Sequence, residues 1–424
     1  MKKLSSKAHP YTAAISILLI VLAIAPLMAG MVGCGGGSPP IEIRTWYDLS
    51  AVRNNLTANY VLMNDLDSTT PGYTELASPT ANGGKGWDPI GGHELGDLLY
   101  GSFDGYGHRI CDLFINRPDE IDVGLFGVVG QGVIMKGAVR NVGVVNCTVT
   151  GDCNVAALVG ASFTANTVAN CYATGNVTGN DFVGGLVGFI KAGGIVSISY
   201  FTGSVTGINS TGGLVGWSNG TVSNSWATGS VTGNGSWVGG LVGWNAGTVS
   251  GSYSTGNVVG DIWVGGLVGS SSGTVSGSYS TGNVTGEEQV GGLMGRNHEG
   301  IVNQSYSTGS VVGDIWVGGL VGSNYASNVS DCYATGTVTG NVSVGGLVGW
   351  NSGTVSYSFW DTETSGQNTS AGGTSKNTTE MKDHDTFSGA TWNITAVGAP
   401  GERNTGYIWN IVDDVTYPFL SWQS

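Results

Sequence analysis

The chain has 424 residues, 75 of them Gly, is 40% hydrophobic and carries a formal charge of −14. The glycines lack the every-third-residue period of collagen, and so apolar and charge-poor a chain is not a disordered one. The negative balance, −17 once Lys2, Lys3 and Lys7 are discounted, repels phosphate backbones and argues against a nucleic-acid partner.

Those three lysines precede an uncharged apolar run from Ala13 to Gly33. A basic start followed by an apolar core is the pattern of a secretory leader, which predicts a signal peptide over residues 1–33. The run ends in Met31-Val32-Gly33-Cys34. This resembles the lipobox of bacterial lipoproteins, although Met31 stands where Leu is usual. The resemblance implies lipidation of Cys34, with membrane contact through the lipid alone. Residues 34–40 would then be the lipidated Cys and a flexible Gly/Ser/Pro tether. The alternative is an uncleaved anchor, since about 20 apolar residues span a bilayer. Pro26 and the Gly-rich end weigh against it, and either reading puts the body in the cell envelope or at the cell surface.

Residues 41–123 read as an N-terminal cap with irregular first coils. Thr45-Trp46-Tyr47-Asp48 has the spacing of a capping box and predicts a short helix through about Asn55. From residue 124 to 356 the chain repeats. Gly-Gly-Leu-(Val/Met)-Gly begins at Gly184, Gly212, Gly239, Gly265, Gly291, Gly318 and Gly345, at spacings of 26–28 residues. Each copy contains three β-rich runs separated by Gly. One unit cannot bury its own apolar face, whereas stacked units can. The predicted fold is all-β: a β-solenoid, or parallel β-helix, of 26–28-residue coils with N- and C-terminal caps and three sides. Leu267 and Val258 represent two core columns. Period-two alternation through Val249–Thr255 predicts Val249, Gly251, Tyr253 and Thr255 inward, and Ser250, Ser252 and Ser254 outward. Residues 357–424 break the period and read as the far cap, with a helix near Asn377–His384.

The repeated Gly-Gly-Leu-Val-Gly followed by Tyr-Ser-Thr-Gly resembles the GLUG motif family over about residues 124–360. The family occurs in surface and adhesin-like proteins and beside the catalytic domain of some IgA-specific metallopeptidases. The resemblance implies a surface location and a binding or spacing role, without naming a ligand.

The catalytic motifs fail on inspection. His93-Glu94-Leu95-Gly96-Asp97 lacks the second His of a zinc-peptidase helix. Gly269-Ser270-Ser271-Ser272-Gly273 matches a nucleophile elbow by letter, but it is a copy of the repeat turn. No catalytic residue and no cofactor is expected. Asp261, Glu287 and Asp314 recur at one turn in consecutive coils, and stacked carboxylates suit Ca²⁺; a solvated turn is the plainer reading. Cys171 and Cys332 share a column six coils apart and cannot bridge, while Cys147 has two partners within reach, Cys153 and Cys171.

Two further columns mix aromatic with polar residues. One runs Phe182, Ser210, Trp237, Trp263, Gln289, Trp316, Ser343, and the other Phe189, Trp217, Trp244, Ser270, Arg296, Ser323, Trp350. A core column does not readily accept Gln or Arg, so these Trp are expected to be partly exposed. Trp237, Trp263 and Trp316, with Asp261 and Asp314 beside the last two, are the candidate ligand site for a glycan or a surface protein. A surface binding, adhesion or scaffold role is the leading expectation. The alternative is a polysaccharide-acting lyase or glycosidase on the same fold.

Overall fold

The chain divides into two units, Met1–Pro39 and Pro40–Ser424. The computed structural model describes residues 39–92, 97–130, 137–163 and 166–423. The expected leader, Cys34, the tether up to Ser38 and the His93–Gly96 string lie outside the described residues.

The repeats coil into a β-solenoid. A representative coil carries five short strands on four faces. Face 1 is Val242–Asn245, face 2 Thr248–Ser250, face 3 Tyr253–Ser254 with Val258–Val259, and face 4 Ile262–Gly265. Each strand pairs, parallel and in register, with its counterpart one coil on: Val242 with Val268, Val249 with Val275, Tyr253 with Tyr279, Val258 with Val284, Val264 with Val290. Among the described residues this stacking builds sheets of nine strands on face 1, twelve on face 2 and eight on face 4. The coil is therefore four-faced, not three-sided. Face 3 is bent at Gly256, where a Cβ would lie 1.8 Å from the Gly229 carbonyl. The Gly265 corner is as tight, with a Cβ 2.0 Å from the Val268 carbonyl.

The Leu column (Leu186, Leu214, Leu241, Leu267, Leu293, Leu320, Leu347) is 0% exposed, and the Val column from Val177 to Val338 is no more than 3% exposed. Stacked coils thus bury what one repeat leaves open.

The predicted alternation across Val249–Thr255 is half wrong. Val249 is buried, but so are Ser252 and Ser254, while Tyr253 is half-exposed and Thr255 exposed. The cause is the corner between faces 2 and 3. Gly251 has φ +56°, and its equivalents Asn224, Gly277, Gln304 and Asp331 also have positive φ. A left-handed residue breaks the pleat, so the phase reverses after it. Ser252 and its equivalents point inward and form a ladder. Ser252 Oγ donates to the Ser250 carbonyl at 2.8 Å and accepts from Ser225 N–H at 3.2 Å. The same pattern recurs at Ser199, Ser225 and Ser278. The Tyr column consequently stacks outside, ring on ring, from Tyr172 to Tyr333 with successive centroids 4.8–5.8 Å apart.

At the N-terminal end, Thr45 and Asp48 form the capping box of the helix Trp46–Ala51, which continues as a 3₁₀ turn to Asn54. Strands Ile41–Ile43, Tyr60–Leu62 and Ser102–Asp104 start the face-2 sheet. At the other end, Phe359–Asp361 and Thr374–Lys376 stack on the last coils. In place of the helix expected near Asn377–His384 there are a 3₁₀ turn, Glu380–Lys382, and a helix, His384–Ser388. The chain then folds back along face 3. Trp409 lies 6.0 and 5.9 Å from the rings of Tyr306 and Tyr333, and Trp422 lies 5.7 Å from Tyr279. Tyr306 and Tyr333 are therefore buried from outside, not from the lumen. Asp361 fastens this segment: its buried carboxylate accepts from Thr378 Oγ1 at 2.8 Å and from Tyr417 OH at 2.7 Å.

Candidate aromatic binding belt

The two aromatic columns have different backbone origins. Phe182, Ser210, Trp237, Trp263, Gln289, Trp316 and Ser343 sit at the start of face 4, each with φ between +47° and +63°. Bulky residues are uncommon in this region and are strained there by about 1–3 kcal/mol. The first coils fill the position with Asp122 and Asn154, residue types that tolerate it. The second column lies in regular strand on face 1, where Phe189, Trp217, Trp244, Ser270, Arg296, Ser323 and Trp350 align coil by coil.

The structure joins the columns into one belt. Phe182 packs on Trp217 at 5.0 Å, Trp217 on Trp237 at 6.4 Å and on Trp244 at 4.1 Å, and Trp237 on Trp263 at 5.1 Å. Farther on, Trp316 stacks on Trp350 at 5.4 Å. Between these groups the Arg296 guanidinium lies 5.1 Å from the Trp263 ring centroid, and Ser323 Oγ bonds Gln289 Oε1 at 2.6 Å. In the pairs Phe182–Trp217, Trp263–Arg296, Gln289–Ser323 and Trp316–Trp350 the residue at the corner of one coil meets the face-1 residue two coils on. All the Trp in the belt are half-buried. The rings pack edge-to-face and tilted on one another, at 83° and 64° for Phe182–Trp217 and Trp217–Trp237 and 33° for Trp237–Trp263, and their exposed parts give the belt an apolar surface with polar edges.

The acidic candidates stand beside this belt without converging. Asp261, Glu287 and Asp314 follow one another through backbone bonds, Glu287 N–H to the Asp261 carbonyl at 2.8 Å and Asp314 N–H to the Glu287 carbonyl at 2.9 Å. Glu287 and Asp314 are exposed and Asp261 half-buried. The Asp314 carboxylate accepts from Asn341 Nδ2 at 2.6 Å. This is one of a set of lateral Asp–Asn bonds between coils, with Asp152–Asn180 and Asp181–Asn209 as further members. Among the described residues no three of His, Cys, Asp and Glu come together as a metal site. The Ser270 string is a strand and turn, with Ser270 3% exposed. The five described cysteines are free thiols. Burial pushes Cys147 and Cys171 up to about 12 and Cys153 up to about 11.

Sequence reasoning found every Trp of the belt but treated its two columns as separate. It also left out His298 and Tyr325, which stack at 5.0 Å at the edge of the belt. Their signal was available: each lies two residues after a member of the second column, on the same side of its strand.

Fold and belt define a class, a parallel β-solenoid repeat protein with an aromatic stripe along adjoining faces. The protein-family model described as the GLUG motif matches residues 317–339. Over 148 residues the chain is 33% identical to halomucin of Haloquadratum walsbyi, a match covering 34% of this chain and 2% of that protein. Over 131 residues it is 37% identical to a protein of Evansella cellulosilytica described as a candidate Gly-rich membrane protein, covering 30% and 13%. The chain thus spans a small part of the length of these curated relatives. A solved structure of a candidate immunoglobulin A1 protease from Bacteroides ovatus aligns over 91% of this chain and 93% of that one, at 17% identity and a TM-score of 0.42. Among the described residues no helix is long and apolar enough to cross a membrane.

Proposed function

We propose that this protein is an exported cell-surface binding protein whose solenoid holds a glycan along the aromatic belt, with Cys34 as its lipid anchor. The observation that supports this best is the run Phe182, Trp217, Trp237, Trp263, half-buried rings in contact from coil to coil. The coil itself has no packing need for so many Trp at a strained corner, because Ser210 and Ser343 occupy the same position. Sugar C–H groups stack on such faces, and hydroxyls find acceptors in flanking carboxylates such as Asp261 and Asp314.

Retention of the purified protein in native gels cast with a panel of polysaccharides tests the reading. At least one polysaccharide retards the wild type and releases a folded Trp237→Ala/Trp263→Ala variant. Equal retardation of both proteins, or none by any polysaccharide, refutes it. The anchor is tested separately by Cys34→Ala, which is expected to lose membrane partitioning; unchanged partitioning removes it.

A further inference from the structure

Arg296 is the sole Lys or Arg between Lys191 and Lys376. Among the described residues no carboxylate pairs with it. The nearest acids in sequence are otherwise placed: Glu288 accepts from Gln289 Nε2 at 3.1 Å, and Glu299 lies beyond the strand at a corner with φ +60°. The one Lys or Arg of the coils between Lys191 and Lys376 therefore stands in the belt, over Trp263, with its guanidinium free of any ion pair among the described residues.

Its surroundings form a polar station between two aromatic groups. On one side is Trp263, whose indole N–H is out of contact with solvent and has no acceptor. On the other are Trp316 and Trp350. The interval is filled by Gln289 and Ser323, bonded to each other. Arg296 and His298 share the outer side of strand Met294–His298, and the next coil sets Ser323 beside Arg296 and Tyr325 beside His298. The rings of His298, Tyr325 and Trp350 stack in turn, at 5.0 and 6.1 Å.

We infer that this station recognises the anionic substituent of an acidic sugar, a carboxylate or a sulfate, within a glycan lying along the belt. The inference rests on the glycan-binding reading and narrows it. A guanidinium presents a planar fork of donors that matches both oxyanions, and it keeps this preference while packed on an aromatic face. The cation does not serve solubility, which the net charge of −14 already secures. That same net charge opposes anions at long range, so any preference for an acidic glycan must come from a short-range contact.

The test is an array of matched oligosaccharides: uronic-acid oligomers against their methyl esters, and sulfated against unsulfated chains. Wild type, Arg296→Gln, Arg296→Lys and Trp263→Ala/Trp316→Ala are compared, each with its unfolding midpoint. The wild type is expected to bind the acidic member of a pair roughly 10- to 100-fold more tightly, the worth of a charge-assisted hydrogen bond. Arg296→Gln, still folded, drops to the affinity of the neutral member, and Arg296→Lys keeps part of the preference. Whether carboxylate or sulfate pairs show the effect names the source of the anion. Equal binding of acidic and neutral members by the wild type, or a preference that survives in Arg296→Gln, overturns the inference and leaves the glycan reading standing. A silent array, or unchanged binding by the double Trp variant, overturns both.

Discussion

Ser252→Ala separates the two possible phases of the coil. An outward Ser252 would make the change nearly neutral, within about 0.5 kcal/mol. In the structure Ser252 is 0% exposed, and its Oγ is the acceptor for the Ser225 N–H. The carbonyl to which it donates, that of Ser250, also accepts from Asn224 N–H at 3.0 Å and stays satisfied. Removing Oγ therefore strands one buried N–H between two coils, at a cost of about 1–3 kcal/mol. Ser252→Cys is the control. The same column holds Cys332, whose Sγ donates to the Ser330 carbonyl at 3.0 Å, so the ladder accepts a thiol and this variant loses less. Equilibrium urea unfolding followed by circular dichroism measures all three proteins. A midpoint for Ser252→Ala equal to that of wild type, or a Cys variant as weak as the Ala variant, refutes the inward ladder.

Leu267→Ala, in a column 0% exposed, should lower unfolding free energy by about 2–5 kcal/mol; a loss under 1 kcal/mol in the same urea titration would contradict the packed lumen. Asp361→Asn keeps the side chain's shape but removes the charge that accepts from Tyr417 and Thr378. It should cost about 1.5–3 kcal/mol and speed proteolysis after residue 377, seen as a shortened fragment by mass spectrometry; an unchanged digestion rate counts against the fastening. Stability should decline at alkaline pH. Burial raises the Cys147 and Cys171 thiols from the ordinary value of 9.0 to about 12. Their contribution is complete below pH 9 and is lost as the pH rises towards 12, because the unfolded chain ionises first. The urea midpoint should fall between pH 8 and pH 11, and fall less in a Cys147→Ala/Cys171→Ala variant; identical slopes for the two proteins would exclude these thiols as the cause.

The period, the Leu and Val columns and the Thr45–Asp48 cap were legible because each depends on local pattern alone: one apolar column per coil, one Ser/Thr-x-x-Asp spacing. The phase of Ser252 and Tyr253 was not. It depends on a left-handed corner filled by Gly251 in one coil and by Asn224 or Gln304 in others, so no single residue type announces it. The aromatic columns were legible as columns, and their Trp are half-buried as expected, but only Arg296 marked this correctly: Gln289, taken as a second sign of exposure, is itself buried against Ser323. Their union was hidden because it joins face 4 of one coil to face 1 two coils on, as Trp263 to Arg296 and Trp316 to Trp350. Such a pair lies 33 or 34 residues apart, longer than the repeat, and requires knowing how the coil closes. The C-terminal segment likewise carries no repeat signal, and only its aromatic partners on face 3 show where it lies.

Hydroxyl-radical footprinting with mass spectrometry, run with and without the retained polysaccharide, tests the central claim most directly. Bound glycan should protect peptides carrying Trp217, Trp237, Trp244, Trp263 and Trp350. Oxidation of the exposed part of the face-3 stack, Tyr172, Tyr200 and Trp226, should stay unchanged. Protection on face 3 with the belt still oxidised would contradict the account and move the binding surface to the Tyr stack.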